Sequence, residues 1–192
     1  MQLAFFIDQS RCTGCYACSV ACKDWHDVPA GQVNWRWIAR VEKGRFPQVF
    51  VAFNSLSCLH CAEPDCLAAC PADAIHKRTE DGIVTVSQEA CLGKQKCGLC
   101  LEACPYDAPQ FGKTTDAKME KCHFCIERWQ EGKKPICVEA CPMRALDAGP
   151  IHEIEAIYGT RQKVEGFQFD QSNKPSVIFK ARFPELMHLT AK

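Results

Sequence analysis

An α+β fold is the fold class that the sequence predicts, and three observations support this prediction. The chain has 16 cysteines among 192 residues, and they form four groups of four with none left over. Three of the groups end in Cys-Pro, at Cys70, Cys104 and Cys141. Short strand-like and helix-like segments alternate with the cysteines. Together these observations predict two small modules organised by cysteine groups, plus a strand insertion and a cysteine-free C-terminal tail.

The cysteine spacing is typical of iron-sulfur cluster ligands. The first group reads C-x2-C-x2-C-x3-C, in which three closely spaced thiolates hold one cluster and the fourth ligates a second cluster. The sequence therefore predicts four 4Fe-4S clusters as cofactors and electron transfer as the function. The predicted iron ligands, group by group, are Cys12, Cys15, Cys18 and Cys22; Cys58, Cys61, Cys66 and Cys70; Cys91, Cys97, Cys100 and Cys104; and Cys122, Cys125, Cys137 and Cys141.

Disulfides and zinc are the rival interpretations of so many cysteines. Asp8 and Arg11 interrupt the N-terminal segment before any adequate apolar run, which argues against a secretory signal and a disulfide scaffold. Zinc ribbons use two C-x2-C pairs per ion and gain nothing from a third cysteine at that spacing. Zinc would explain one group, not four.

Charge and hydropathy exclude other partners. Basic and acidic residues balance at 23 each, so the sequence lacks the excess of positive charge that is typical of nucleic-acid-binding proteins. The longest apolar runs, such as 49–53, are far shorter than the roughly 20 residues that span a bilayer. We expect no nucleic acid and no direct membrane span. Cations beside the cysteine groups are expected to offset cluster charge: Arg11, Lys23, Arg78, Lys94, Lys96, Lys121 and Arg128.

The elements follow from local patterns. Residues 35–41 alternate at period two and predict a strand, paired with 48–53 across a turn at 43–47. Residues 74–77 and 83–86 flank an Asp-Gly hairpin signal. Short helices are expected after the third cysteines, at 67–69 and 101–103. In the tail, a helix over 151–158 and a strand over 176–179 are expected.

The exchange of fourth cysteines leaves two pairings open. If the second and third groups pair, as in a two-cluster bacterial ferredoxin, the outer groups pair around them in a nested arrangement. Sequential pairing, first with second and third with fourth, is the alternative. Nested pairing predicts one ferredoxin-like module from 1–57 and 105–148, with the insertion at 23–57, a second from 58–104, and a docking tail over 149–192. Its ligand sets are Cys12, Cys15, Cys18 and Cys141; Cys58, Cys61, Cys66 and Cys104; Cys91, Cys97, Cys100 and Cys70; and Cys122, Cys125, Cys137 and Cys22.

The arrangement resembles a known family, the four-cluster beta subunits of molybdopterin or tungstopterin oxidoreductases, particularly the dimethyl sulfoxide reductase type. The similarity covers about residues 4–158. It rests on the motifs Phe5-Phe6-Ile7-Asp8, Arg11-Cys12-Thr13-Gly14-Cys15, Ala21-Cys22-Lys23-Asp24, Cys58-Leu59-His60-Cys61, Cys70-Pro71, Lys121-Cys122, Gly132 to Glu139, Cys141-Pro142 and Arg144-Ala145-Leu146-Asp147.

The resemblance implies nested ligand exchange and an electron relay. The cluster on the first group would lie next to a large catalytic subunit, with the fourth, second and third groups leading towards a quinone-linked membrane anchor or another redox partner. Substrate chemistry would belong to the catalytic partner. The chain would be peripheral, attached to a membrane through partners or soluble in a complex, and either periplasmic by co-export or cytoplasmic.

Cys91 departs from the family pattern. The family's usual third group reads C-x2-C-x2-C-x3-C-P, but here more than two residues separate Cys91 from Cys97. A cysteine at the position of Lys94 would restore the usual spacing. Either Cys91 ligates through a longer loop, which Gly93 and Gly98 would ease, or it is free and the cluster has only three cysteine ligands. We expect ligation, because no other cysteine is spare.

No catalytic residues are expected in the chain. It has neither a Gly-rich dinucleotide fingerprint nor a Walker loop. His60 and His123 lie inside cysteine groups, but histidine ligation of the Rieske kind replaces two cysteines on one iron. A freestanding polyferredoxin carrier and a zinc-stabilised interaction module are the alternative functions. The insertion and the tail argue against a free carrier, since such additions build subunit contacts.

Overall fold

The computed structural model describes residues 1–160 and 162–183 of the chain. This part of the chain mixes short helices with small sheets, as predicted. No helix within these residues is long and apolar enough to cross a bilayer. The elements in chain order are β1 (Leu3–Asp8), α1 (Ala17–Trp25), β2 (Arg36–Arg45), β3 (Gln48–Ser57), α2 (Asp65–Ala68), β4 (Ile75–Lys77), β5 (Val84–Val86), α3 (Leu99–Ala103), β6 (Gln110–Phe111), β7 (Met119–Glu120), α4 (Ile126–Gln130), α5 (Ile136–Glu139), β8 (Leu146–Pro150), α6 (Ile151–Tyr158) and β9 (Val177–Lys180).

Strand β1 lies at the centre of a three-stranded sheet. It pairs antiparallel with β8 on one side and parallel with β9 on the other. Every residue of β1 is buried, because both faces of the strand are covered. Phe5 belongs to the main core, while Phe6 on the opposite face packs with Ile154 of α6 and Ile178 of β9.

The predicted helix and strand of the tail are confirmed. Helix α6 covers 151–158, and β9 begins one residue later than the predicted strand. Both elements pack on β1, so this part of the tail is built into the body of the molecule. Tyr158 stacks on Phe6 with ring centroids 3.8 Å apart, and its hydroxyl donates to Asp147 Oδ2 at 2.8 Å.

The predicted hairpin of the insertion is confirmed and is longer than expected. Arg36 pairs with Ser57 at one end and Arg45 with Gln48 at the other. The root of this hairpin is buried in the core, whereas Phe46 at the turn is 92% exposed. Alternation failed to predict the outer half because residues 42–49 are exposed there on both faces.

Two further ladders are short. The predicted pairing of β4 with β5 is confirmed, with Ile75 opposite Val86. The pairing of β6 with β7 was not predicted, since two-residue strands leave no period to recognise. Four of the helices pack in two pairs, α1 against α5 and α2 against α3. Each pair joins two cysteine groups.

Candidate metal centres

The third and fourth cysteines of every group are four residues apart around a short helix. Cys18 and Cys22 lie within α1, while Cys100 lies in α3 and Cys104 is its C-cap. Residues four apart share one helix face and are displaced by about one turn, roughly 6 Å along the axis. Each helix can therefore present one thiol to each of two neighbouring sites.

Three cavities are each lined by four cysteines. In each cavity, three of these cysteines come from one group and one is the fourth cysteine of another group. The first set of thiols, around one cavity, is Cys12, Cys15, Cys18 and Cys141. The second set, around another cavity, is Cys58, Cys61, Cys66 and Cys104. The third set, around the remaining cavity, is Cys70, Cys91, Cys97 and Cys100.

The other four cysteines form a fourth set in the interior: Cys22, Cys122, Cys125 and Cys137. Their exposed fractions are 5%, 7%, 4% and 3%. The pKa of Cys22 is raised by burial and then by the thiols of Cys122, Cys137 and Cys125, so these side chains lie close enough to interact electrostatically. The packing of α1 on α5 brings the first and fourth groups together in this way.

Burial raises the pKa of most of these thiols. It raises the pKa of Cys66 and of Cys125 to about 12 and those of Cys100 and Cys122 to about 11, with neighbouring thiols adding to the effect in each site. Iron binds the thiolate form of cysteine, so iron binding at such a set would release protons. Within residues 1–160 and 162–183, no three His, Cys, Asp or Glu side chains converge on the position of a single metal ion.

A repeated loop holds the fourth cysteine in three of the groups. Each loop reads Cys-Pro-x-x-Ala, and the alanine N–H donates to the cysteine sulfur at 3.3 Å in Ala74 to Cys70 and in Ala145 to Cys141. These bonds fix the positions of the two sulfurs within their loops. The first group has no proline after Cys22, and there α1 continues to Trp25.

Three cations are buried in the described part of the chain, and two of them, Lys121 and Arg36, act electrostatically on thiols. Lys121 is 3% exposed, and its Nζ donates to the carbonyls of Val84 and Cys122. Arg128 is 6% exposed and donates to Lys134 O at 3.0 Å. Sequence analysis named both but missed Arg36, which is 1% exposed. Arg36 is remote from any cysteine in sequence, and its only signal was a charged residue at an inward position of an alternating strand.

Histidines also lie beside the thiols. His26, which sequence analysis did not single out, places Nε2 3.2 Å from Cys125 Sγ and packs edge-on against His123. Burial lowers the pKa of His26 to about 4 and lowers that of His60 well below its usual range. His60 Nδ1 accepts the Val84 N–H at 3.0 Å, which places the proton of the neutral ring on Nε2.

Cys91 lies in the wall of the third cavity with its longer loop. Its sulfur accepts the N–H of Met119 at 3.4 Å, and Leu92 and Gly93 line the cavity beside it. Lys94 of this loop is exposed. A different cation contacts Cys91 directly: Lys118 Nζ donates to the Cys91 carbonyl at 2.6 Å.

The four thiol sets fit iron-sulfur clusters. An oxidised cubane with four thiolates carries about two negative charges, which disfavours burial unless donors and cations surround it. Arg36 Nε and His60 Nε2 are buried, and neither has a hydrogen-bond partner among the described residues. Buried cations and unpaired donors among thiols are what such a dianion requires.

Comparison with known proteins agrees with this chemistry. Residues 49–151 match the family model described as a 4Fe-4S dicluster domain, and residues 3–24 match a 4Fe-4S binding domain. The sequence is 44% identical to the B-chain of anaerobic dimethyl sulfoxide reductase from Escherichia coli, over 93% of this protein and 88% of that one.

Two further relatives come from other oxidoreductases. The formate dehydrogenase iron-sulfur subunit of Wolinella succinogenes is 35% identical over 83% of this protein and 87% of its own length. The B-subunit of sulfite dehydrogenase from Allochromatium vinosum is 34% identical over 98% of this protein and 86% of its own length. The protein thus belongs to the 4Fe-4S dicluster family, among the non-catalytic electron-transfer subunits of oxidoreductases of the dimethyl sulfoxide reductase type.

Proposed function

We propose that the chain carries four 4Fe-4S clusters and relays electrons between a molybdopterin- or tungstopterin-containing catalytic subunit and a quinone-linked membrane anchor or other redox partner. The observation that supports this most directly is the gathering of all 16 cysteines into four thiol sets. When bound, a 4Fe-4S cluster takes up and releases one electron at a potential set by its surroundings.

Nested exchange of fourth cysteines is part of the proposal. Each thiol set serves as one ligand set, so α1 gives Cys18 to the first and Cys22 to the fourth. The packing of α1 on α5 and of α2 on α3 supports this pairing over the sequential one. The modules proposed from it are 1–57 with 105–148, and 58–104, with 149–192 as the docking tail.

Cys91 is proposed as a ligand of the third set. It lines the same cavity as Cys70, Cys97 and Cys100, and the pKa of Cys100 is raised by burial and then by Cys91. The Met119 N–H also donates to the Cys91 sulfur, which holds this sulfur in the cavity wall. We therefore propose that the longer loop between Cys91 and Cys97 still allows Cys91 to bind iron.

The proposed order of the relay is supported by electrostatic effects between thiols of different sets. Cys18 of the first set acts electrostatically on Cys137 of the fourth, since it is one of the groups that raise the pKa of Cys137 after burial and the opposing charge of Arg36. Cys58 of the second set similarly affects Cys122. Cys100 of the third set affects Cys66. These neighbours support the order first, fourth, second, third.

The two ends of this order expose apolar side chains. Beside the first set, Tyr16, Val20 and Met143 are 53%, 63% and 42% exposed. Beside the third set, Leu92 and Leu99 are 45% and 46% exposed. Apolar patches next to the terminal sites suit docking of a catalytic subunit at the first set and of a second redox partner at the third. The chain would then be peripheral to any membrane involved.

Iron analysis of the anaerobically purified protein tests the cluster count. The proposal requires about sixteen iron and sixteen sulfide per chain. A count near eight, with zinc making up the rest, would contradict it. Copurification with a large pterin-containing subunit supports the relay, whereas a brown monomer would indicate a freestanding polyferredoxin carrier.

A further inference from the structure

Arg36 is fully buried, and no carboxylate pairs with it among the described residues; it contacts serine oxygens, an aromatic ring and the Cys137 thiol. Its Nη1 donates to the carbonyl and hydroxyl oxygens of Ser55, both at 3.1 Å, and its Nη2 donates to Ser57 Oγ at 2.9 Å. Its guanidinium carbon lies 4.4 Å from the centroid of the Phe5 ring. The nearby groups that raise its pKa are the thiols of Cys137, Cys122, Cys18 and Cys22, which outweigh the opposing effect of burial.

A buried charge of this kind is unfavourable by several kcal/mol unless an opposite charge faces it. Serine oxygens and an aromatic face compensate only in part. The thiols around Arg36 belong to two different sets, Cys18 to the first and the others to the fourth. Arg36 therefore lies where two negatively charged ligand sets would meet.

A hydrogen-bonded path joins Arg36 to the first set. Ser55 Oγ accepts from Arg36 Nη1, so its own proton is free to be donated to Cys18 Sγ, 3.2 Å away. Ser55 also lines the cavity of the first set. A second contact joins Arg36 to α1, the helix that carries Cys18. Ser19 Oγ of this helix donates to the Arg36 carbonyl at 2.7 Å.

We propose that Arg36 is the shared counter-charge of the first and fourth thiol sets, and that it raises the reduction potentials of the clusters which these two sets hold. The inference rests on the proposed four-cluster function and names the residue that tunes half of it. Adding an electron makes a cluster more negative, so a fixed positive charge favours the reduced form. Because Arg36 is out of reach of solvent, screening does little to weaken this effect.

The test is an EPR-monitored redox titration of the intact chain with any subunit that copurifies. The clusters are assigned beforehand from single cysteine variants. In Arg36→Gln, the reduction equilibria of the first and fourth clusters should shift towards the oxidised form by about tenfold or more, equivalent to about 59 mV per tenfold for a one-electron couple. The reduction potentials of the second and third clusters should stay unchanged. Arg36→Lys keeps the charge and should recover most of the shift.

Arg40→Gln is the matched control, because Arg40 lies on the same strand but is 61% exposed and paired with Glu42. It should leave all potentials unchanged. The proposal is overturned if Arg36→Gln moves no potential, moves all four alike, or is matched by Arg36→Lys. Iron content near sixteen with unshifted potentials would refute the role of Arg36 alone, whereas a lower iron content in the wild-type protein would refute the four-cluster function.

Ser55→Ala tests the hydrogen-bonded path from Arg36 to the first set, and it remains available if the glutamine variant fails to assemble. It removes the hydroxyl between Arg36 and Cys18 and leaves the charge in place. The potential of the first cluster should fall while that of the fourth stays constant. An unchanged potential at the first cluster would overturn the hydrogen-bonded link between Arg36 and the first set, and with it the claim that the first and fourth sets share Arg36.

Discussion

The third and fourth thiol sets each contain four cysteine side chains, but the fourth set is buried and the third is partly exposed to solvent. The fourth set is enclosed by the core, and its cation is the buried Arg36. In the third set, Cys91 and Cys97 are partly accessible and the neighbouring loop exposes Lys94. Charge effects grow as the surroundings become less polar and less screened. Burial, more than the number of nearby cations, should therefore decide how strongly each site is tuned.

The largest expected difference between the two sites comes from removing a ligand of each. Cys22→Ser leaves the interior fourth set with three thiols and no solvent to complete it, so we expect loss of that whole cluster, about four iron atoms per chain. Iron analysis and EPR measure the loss. Val20→Ser, on the exposed side of the same helix, should keep all the iron. Loss of a cluster held by Cys58 instead would contradict nested exchange.

Cys91→Ala makes the corresponding change at the surface. Solvent reaches the third set, and the other three thiols remain, so we expect loss of about one iron with the rest of that cluster retained. The EPR spectrum should then show a three-iron centre. An unaltered iron count and spectrum would mean that Cys91 is not a ligand and that the group has only three cysteine ligands.

Cation substitutions at the third site should have smaller effects than at Arg36. Lys118 contacts the Cys91 carbonyl and is partly buried, so Lys118→Gln should lower the potential of the third cluster by less than about 59 mV. Lys94→Gln should lower it less still, and this shift should vanish at high salt. A Lys94 shift as large as that of Arg36 would show that burial is not the deciding variable.

The smallest effect is expected away from both sites, where α6 is joined to β8. Tyr158→Phe keeps the stacking on Phe6 but removes the bond to Asp147, which should lower the free energy of unfolding by about 1 kcal/mol. Denaturant unfolding measures this change, while iron content and potentials should stay constant.

The effect of Tyr158→Phe should also depend on pH. Burial opposes ionisation of Asp147, but hydrogen bonds from Lys134 and Tyr158 outweigh it and lower its pKa. This stabilisation is present above the ordinary carboxyl pKa and is lost as pH falls through the lowered value. The difference between variant and wild type should therefore shrink in acid. A difference that grows in acid would contradict the assignment of the bond.

Much of this architecture could be predicted from the sequence. Cysteine spacing identified the iron-sulfur chemistry, and local alternation located β2, β3 and the β4–β5 hairpin. The grouping of thiols could not be obtained from spacing alone. Each fourth cysteine lies one helical turn beyond the third, and the site it faces depends on how α1 packs on α5 and α2 on α3.

The tuning residues were harder to find for the same reason. Lys121 lies next to a cysteine in sequence and was anticipated, whereas Arg36 and His26 reach the thiols only through tertiary packing. The register of the hairpin brings Arg36 to Ser55 and Ser57, and Ser55 in turn to Cys18. No local pattern contains that information.

The pairing of β1 has a consequence for synthesis of the protein. Phe5 pairs with Ala148 on one side and Val177 on the other, so β1 leaves the ribosome long before either of the strands it pairs with. Such non-local pairing delays folding, and the unpaired apolar strand invites aggregation in the meantime. Helix α1, which follows β1 directly, waits equally for α5. The second and third cysteine groups are contiguous in the chain and can be assembled first, so iron loading should proceed from the middle of the sequence outwards.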